Sequence, residues 1–229
     1  MAGIVAALSR RGSGGLGAVS AELCAEVLGM AGMAISVLAS DGNGHVVWRT
    51  DGAGADLDDL QFTLGEGPGV DAASSGELVL EPDLAAVPAQ RWPVFTPAAL
   101  ELGVQAVFAV PLRIGSIRVG VLLAHRDAPA PAERDRGVLT DLLAFAQAAT
   151  DALLGSAAGG PEPHWMSERT SGYRAEVHQA TGMTSLQLEV AQGEALIRLR
   201  AYAFSHRRAL AEVAADVVAR RLRLDKDPD

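Results

Sequence analysis

Between Gly155 and Pro163 the chain reads Gly-Ser-Ala-Ala-Gly-Gly-Pro-Glu-Pro, a run rich in residues that break helices and strands alike. This is linker composition. It divides the 229 residues into two expected modules, 1–155 and 171–223, with a linker over 156–170 and an acidic tail at 224–229. Charge divides at nearly the same place. Residues 1–168 hold nine arginines against twenty carboxylates, a balance of −11, whereas 169–223 hold nine arginines against five, a balance of +4. An acidic body joined to a basic C-terminal segment implies two jobs, the basic one directed at a polyanion.

The first module mixes helical and strand periodicities. Apolar residues recur at helical spacing at Val19, Leu23, Val27 and Met30, after the apolar start from Ile4 to Leu8 and a glycine-rich break at 12–17. Residues 33–39 and 45–49 are β-rich runs around Asp41-Gly42-Asn43-Gly44, which reads as a hairpin. Further strands are expected at 78–80, 104–112 and 117–124, the last two joined in a second hairpin. Val138, Leu139, Leu142, Leu143, Phe145, Ala146, Ala149 and Leu153 then restore a helical stripe, and a long helix closes the module near Leu154.

The second module reads as three helices, over about 171–189, 192–205 and 209–222. On the third, Leu210, Val213, Ala214, Val217, Val218 and Leu222 form one apolar stripe, leaving Glu212, Asp216 and Arg220 outside it. On the second, Ala195, Leu196, Leu199 and Ala203 form the inner face. Arg198, Ala201 and Ser205 then point away from it, with Arg200 and Tyr202 on the flanks.

Several classes of chemistry are disfavoured. A content of 49% hydrophobic and 21% charged residues is that of a globular chain. By inspection no apolar run approaches the ~20 residues of a membrane helix, and the N-terminus lacks the basic-then-apolar order of a secretory signal, so a cytoplasmic location without membrane attachment is expected. Cys24 stands alone, against an internal disulfide, a cysteine-rich zinc site or a two-cysteine redox cycle. His45, His125, His164, His178 and His206 have no close ligand spacing, so no metal is expected. There is no nucleophile elbow or Walker loop, and Asp56, Asp58 and Asp59 read as a solvated charge run. Neither a catalytic residue nor a cofactor is assigned, and the chain is not expected to be an enzyme. The G-x-G-x-x-G spelling at 12–17 follows Ser9-Arg10-Arg11, a poor strand end, and reads as a flexible linker. Trp48 and Trp92 are the candidates for contact with a small ligand. Core packing is the simpler account of them, and Phe62, Phe95 and Phe108 carry the same ambiguity.

The arginines of the last fifty residues are more informative. Arg198, Arg200, Arg207, Arg208, Arg220, Arg221 and Arg223, with Tyr202 and His206, set forked donors and an aromatic ring on a small helical unit, which suits phosphates and an exposed base. By charge alone, a salt-bridged bundle facing water explains them equally well.

Residues 177–183 (Val-His-Gln-Ala-Thr-Gly-Met), 194–204 (Glu-Ala-Leu-Ile-Arg-Leu-Arg-Ala-Tyr-Ala-Phe) and 210–214 (Leu-Ala-Glu-Val-Ala) together resemble the ANTAR domain over roughly 172–223. That resemblance implies a three-helix module that binds paired hairpin loops of nascent RNA and prevents a transcription terminator from forming. Ala180, Gly182, Ala195, Arg200 and Ala203 match the family pattern. Ala191 departs from it, standing where a capping serine is common. Upstream, Leu64-Gly65-Glu66-Gly67-Pro68-Gly69-Val70-Asp71-Ala72, with Glu81-Pro82-Asp83-Leu84, looks like the GAF domain that precedes ANTAR in actinobacterial regulators.

The fold class so implied is an α+β GAF domain, an antiparallel sheet flanked by helices, followed by an all-α three-helix ANTAR domain. The implied function is antitermination, with a GAF sensor controlling an RNA-binding module. Arg198, Arg200, Ala201, Tyr202, His206, Arg207, Arg208 and Arg220 are expected at the RNA, Tyr202 stacking on a loop base. Paired stem-loops imply a homodimer, and the GAF resemblance admits an unidentified small effector. The competing reading is a ligand-responsive dimeric signalling switch that acts through a protein partner. A GAF-type methionine sulfoxide reductase needs several cysteines, and a DNA-binding module lacks its helix-turn-helix turn signal.

Overall fold

The computed structural model describes residues 2–8, 15–38, 44–129, 135–157 and 172–224. They form two compact units, one up to residue 157 and the other from 172 onward. The expected linker beyond Ala157 and the tail beyond Leu224 lie outside the described residues, as do the tip of the first hairpin and the first half of the glycine-rich break.

The first unit is built on strands β1 (Gly32–Leu38), β2 (Gly44–Arg49), β3 (Val79–Glu81), β4 (Ala106–Ile114) and β5 (Ile117–Arg126). They pair in the order β2-β1-β5-β4-β3, antiparallel throughout. Both expected hairpins are present. The β4–β5 turn is two residues long, with Gly115 at φ +57°, the left-handed conformation such a turn requires. At Gly120 the neighbouring strand comes so close that a Cβ would stand 2.2 Å from the Ser36 carbonyl oxygen. Glycine is therefore needed there to keep β1 and β5 paired.

Side-chain alternation divides the unit into two apolar layers. Ile35, Phe108, Val110, Leu122 and Ala124 face one layer with helices α1 (Ala2–Leu8), α2 (Ala21–Leu28) and α6 (Asp135–Ala157). Val107, Ala109, Val121 and Leu123 face the other, which holds side chains of α3 (Ala53–Leu64), α4 (Pro68–Ser75) and α5 (Phe95–Glu101). The α2 stripe differs from expectation. Leu23 is 52% exposed and Val27 is also exposed, whereas Ala21, Cys24, Ala25 and Leu28 are buried. Of the expected stripe, Met30 is buried and Val19 packs on the core, but within the helix the buried positions fall one residue after Leu23 and Val27, at Cys24 and Leu28.

Helix α6 carries a second correction. By length and composition, Gly137–Gly155 is long and apolar enough to cross a membrane, contrary to the expectation that no run approaches that length. Thr140, Asp141, Gln147, Thr150 and Asp151 interrupt it, so its sequence contains no unbroken apolar run of that length. In the fold Leu142, Phe145, Ala149 and Leu153 are buried in the first apolar layer, so this stripe serves the domain core.

The second unit comprises α7 (Gly172–Leu188), α8 (Gln192–Ser205) and α9 (Leu210–Val218). Val177, Ala180, Leu188, Ala195, Leu196, Leu199, Ala203, Leu210, Val213, Ala214 and Val217 are its buried core; those of α8 and α9 fall on the expected stripes, of which Val218 and Leu222 are only half-buried. Leu224 belongs to this unit as well: its side chain is buried, and its carbonyl accepts a hydrogen bond from Gln187 Nε2 at 2.5 Å.

Candidate nucleic-acid interface

Three small residues let the helices of the second unit pack closely: Ala180, Ala195 and Ala203 are all buried. Gly182 is not demanded by space, since a Cβ there meets nothing within 4 Å. Helix α8 starts at Ala191 with no side-chain cap, as the departure at that position predicts. With its inner face turned to the core, α8 presents Ile197, Ala201, Phe204 and Ser205 outward. Arg200 and Tyr202 are half-buried on either flank, where helical geometry placed them.

The arginines differ in what holds them. Arg198 Nη2 donates to Glu194 Oε1 one turn earlier, at 2.7 Å. Arg208 Nη2 donates to Asp216 Oδ2 at 2.6 Å, and Arg221 Nε donates to Asp216 Oδ1 at 2.8 Å. Asp216 thus fastens the α8–α9 connection to the far end of α9. The hydrogen bonds from Arg208 and then Arg221 hold its carboxyl below the usual carboxylate range, and the same bond raises Arg208. Burial pulls Arg200 down to about 10, which leaves it a cation at neutral pH. Arg207, Arg220 and Arg223 are exposed. Tyr202 stacks on His206, ring centroids 3.8 Å apart and planes at 16°, so one of its faces is already occupied.

Helix ends in the second unit carry a signal that sequence reading missed. After α8, Arg207 N bonds to Phe204 O at 3.1 Å and Arg208 N to Ala203 O at 2.9 Å. After α9, Arg220 N bonds to Val217 O at 2.9 Å and Arg221 N to Asp216 O at 2.7 Å. Each pair is a Schellman closure, whose left-handed position is usually glycine. Here it is Arg207 at φ +52° and Arg220 at φ +58°. The first unit places Gly29, Gly65 and Gly76 at its left-handed helix ends. Arg220 also explains why α9 stops at Val218 although the apolar stripe continues to Leu222.

The two ligand candidates of the first unit are not brought together. Trp48 packs against the first layer, tilted on Phe145 at 5.5 Å between ring centroids, and its Nε1 donates to Val19 O at 3.2 Å. Trp92 lies in the second layer, 1% exposed, edge-on to Phe95, with Nε1 donating to Asp71 Oδ2 at 3.2 Å. The glycine-rich motif around it is a staple. Glu66 Oε1 accepts from Val94 N at 2.8 Å and Phe95 N at 2.7 Å, capping α5, while Gln61 Oε1 accepts from Gly69 N at 2.6 Å. Burial pushes the Cys24 thiol up to about 11, so it stays protonated. Among the described residues no group of three or more His, Cys, Asp or Glu is placed to hold a metal ion.

No family model matches the chain, and no curated protein matches it by sequence. Solved structures do match. A GAF domain from an Acinetobacter phosphoenolpyruvate-protein phosphotransferase aligns with TM-score 0.51 and 13% identity, covering 69% of this chain and 93% of that one. An N-acylhomoserine-lactone-dependent LuxR-family transcription factor from Burkholderia cenocepacia aligns with TM-score 0.52 and 16% identity, covering 69% and 95%. The phycocyanobilin-bound GAF domain of a cyanobacterial phytochrome aligns with TM-score 0.50 and 15% identity, covering 70% and 97%. At these identities the likeness is one of fold, and the five-stranded antiparallel sheet with its flanking helices is a GAF fold.

Proposed function

We infer that the chain is an RNA-binding regulator of transcription termination, in which a GAF-fold unit senses a signal and the C-terminal three-helix unit, of ANTAR type, holds stem-loops of a nascent transcript. The observation that carries this reading is the outward surface of the second unit. Arg207 and Arg220 stand exposed in left-handed backbone that glycine adopts without strain, in a segment whose net charge is +4. The exposed Glu189 ends α7 in the same left-handed backbone, at φ +58°, so it is the positive charge set at the other two helix ends, and not the strain alone, that points to a polyanion. Phosphate contacts come from arginines on and after α8 and after α9, with Ala201 small enough for close approach.

No catalytic step belongs to this reading, and no cofactor. The buried, protonated Cys24 accords with a non-redox role. A homodimer matches two linked stem-loops, and a second copy would cover apolar side chains such as Leu143 on α6, 46% exposed. The protein acts where transcripts are made, in the cytoplasm of a bacterium. Crosslinking and sequencing of transcripts bound in cells tests partner class directly: enrichment of tandem stem-loops ahead of terminators is expected. Capture of a protein partner with no enriched RNA would favour the dimeric signalling switch instead. Solution mass with and without RNA tests the dimer, and a strict monomer in both states rejects it.

A further inference from the structure

We propose that the last turn of α8 is a seat for one unpaired loop nucleotide, the base lying on Phe204 and the adjoining phosphates on Arg200 and Arg207. Resting on the RNA-binding reading above, this identifies which part of the transcript the helix takes and which ring takes it. Phe204 is 74% exposed, and Ile197, two turns earlier on the same side, is 63% exposed, with the methyl group of Ala201 between them. An aromatic ring so open on a helix surface has its apolar faces available to a partner. Tyr202 has already given one face to His206.

Charge points to the class of partner. Arg200 lies four residues before Phe204, so the two are neighbours on the helix surface. Arg207 lies three residues after, joined to the Phe204 carbonyl through its own N–H at 3.1 Å. The order cation, ring, cation is complementary to a nucleotide in a single strand, a flat base between two phosphates. Phenylalanine and arginine are also enriched between protein partners, so contact between copies of the chain is the competing occupant that the test separates. The left-handed Arg207 adds a second observation. Glycine would close α8 with less strain, and arginine there adds an exposed cation three residues beyond the ring.

The test uses the full chain and RNA enriched from a pool of tandem stem-loops with randomised loops, then labelled with 2-aminopurine in the loop. Phe204→Ala is expected to weaken binding by roughly 5- to 150-fold at fixed salt and to abolish quenching of the loop fluorophore. The slope of log affinity against log salt should not change, since no charge is removed. Phe204→Trp should keep both affinity and quenching. Arg207→Gly should weaken binding and reduce the salt slope by about one, while the melting temperature stays level or rises, the opposite of what a structural role would give. Wild-type affinity and quenching in Phe204→Ala would overturn the proposal, as would equal weakening towards a fully paired duplex. Dissociation of a dimer with RNA affinity intact would reassign the face to self-association. Failure of the wild type to enrich any RNA would instead overturn the underlying reading.

Discussion

The carboxylate of Glu66 offers a direct test of what the glycine-rich motif does. Its Oε1 takes two backbone N–H groups at the start of α5, those of Val94 and Phe95. Glu66→Ala leaves both donors without their charged acceptor. Val94 is exposed and water replaces the carboxylate there, whereas the Phe95 contact is partly buried and its loss is felt more fully. Removing a cap costs ~1 kcal/mol and leaving a shielded donor unpaired costs ~1–3 kcal/mol, so a combined loss of about 2 kcal/mol is expected. With a urea dependence of about 2 kcal/mol per molar, the unfolding midpoint should fall by about 1 M. Tryptophan fluorescence is the appropriate assay, because Trp92 is buried edge-on to Phe95 at 5.7 Å and reports on this corner of the domain. Glu66→Gln retains an acceptor oxygen without the charge and should lie between the two. A midpoint for Glu66→Ala within ~0.2 M of wild type would refute the staple.

Other positions give independent checks. Gly120→Ala drives a methyl group against the Ser36 carbonyl oxygen, and should destabilise the first unit by ~1–3 kcal/mol or prevent soluble expression, as read from urea unfolding. Burial lowers the pKa of His125 from its ordinary 6.5, with Asp127 partly opposing. The unfolded chain therefore takes up that proton before the folded one does. Stability of the first unit is full above about pH 6.5 and is lost as pH falls towards the lower folded value. Urea midpoints should drop between about pH 7.5 and pH 5.5, and less steeply in His125→Leu. Ala191→Ser should supply the missing cap of α8 and stabilise the second unit by ~1 kcal/mol, seen as a higher melting point in the far-ultraviolet helical signal.

Where one periodicity dominates, the structure followed the sequence closely. The core of α8 was legible because Ala195, Leu196, Leu199 and Ala203 leave a single way to bury an apolar stripe. The β4–β5 hairpin was equally plain from two β-rich runs about a glycine turn. Helix α3 was not, since its fully buried Leu57 is surrounded by aspartates, glycine and alanine, and its positioning residue Gln61 acts through a hydrogen bond that no pattern announces. The phase of α2 was lost for a related reason: Cys24 and Ala25 are small, so larger but exposed Leu23 and Val27 dominated the pattern. At the candidate interface, sequence placed the arginines on the right helix but not their ion pairs. That Arg208 is spent on Asp216 depends on a contact across eight residues, and the left-handed backbone of Arg207 depends on how α8 ends. The exposure of Phe204 was hidden by its surroundings in sequence, between a buried alanine and a serine.

The central claim is that guanidinium groups of the C-terminal unit hold RNA through its phosphates. Titrating a tandem stem-loop RNA with the full chain across a range of salt concentrations measures this most directly. Log affinity should fall linearly with log salt at a slope of about −0.7 to −0.9 per phosphate contacted, and Arg198→Ala combined with Arg200→Ala should weaken binding and flatten the slope. Affinity that is indifferent to salt, or unchanged in the double variant, would contradict it.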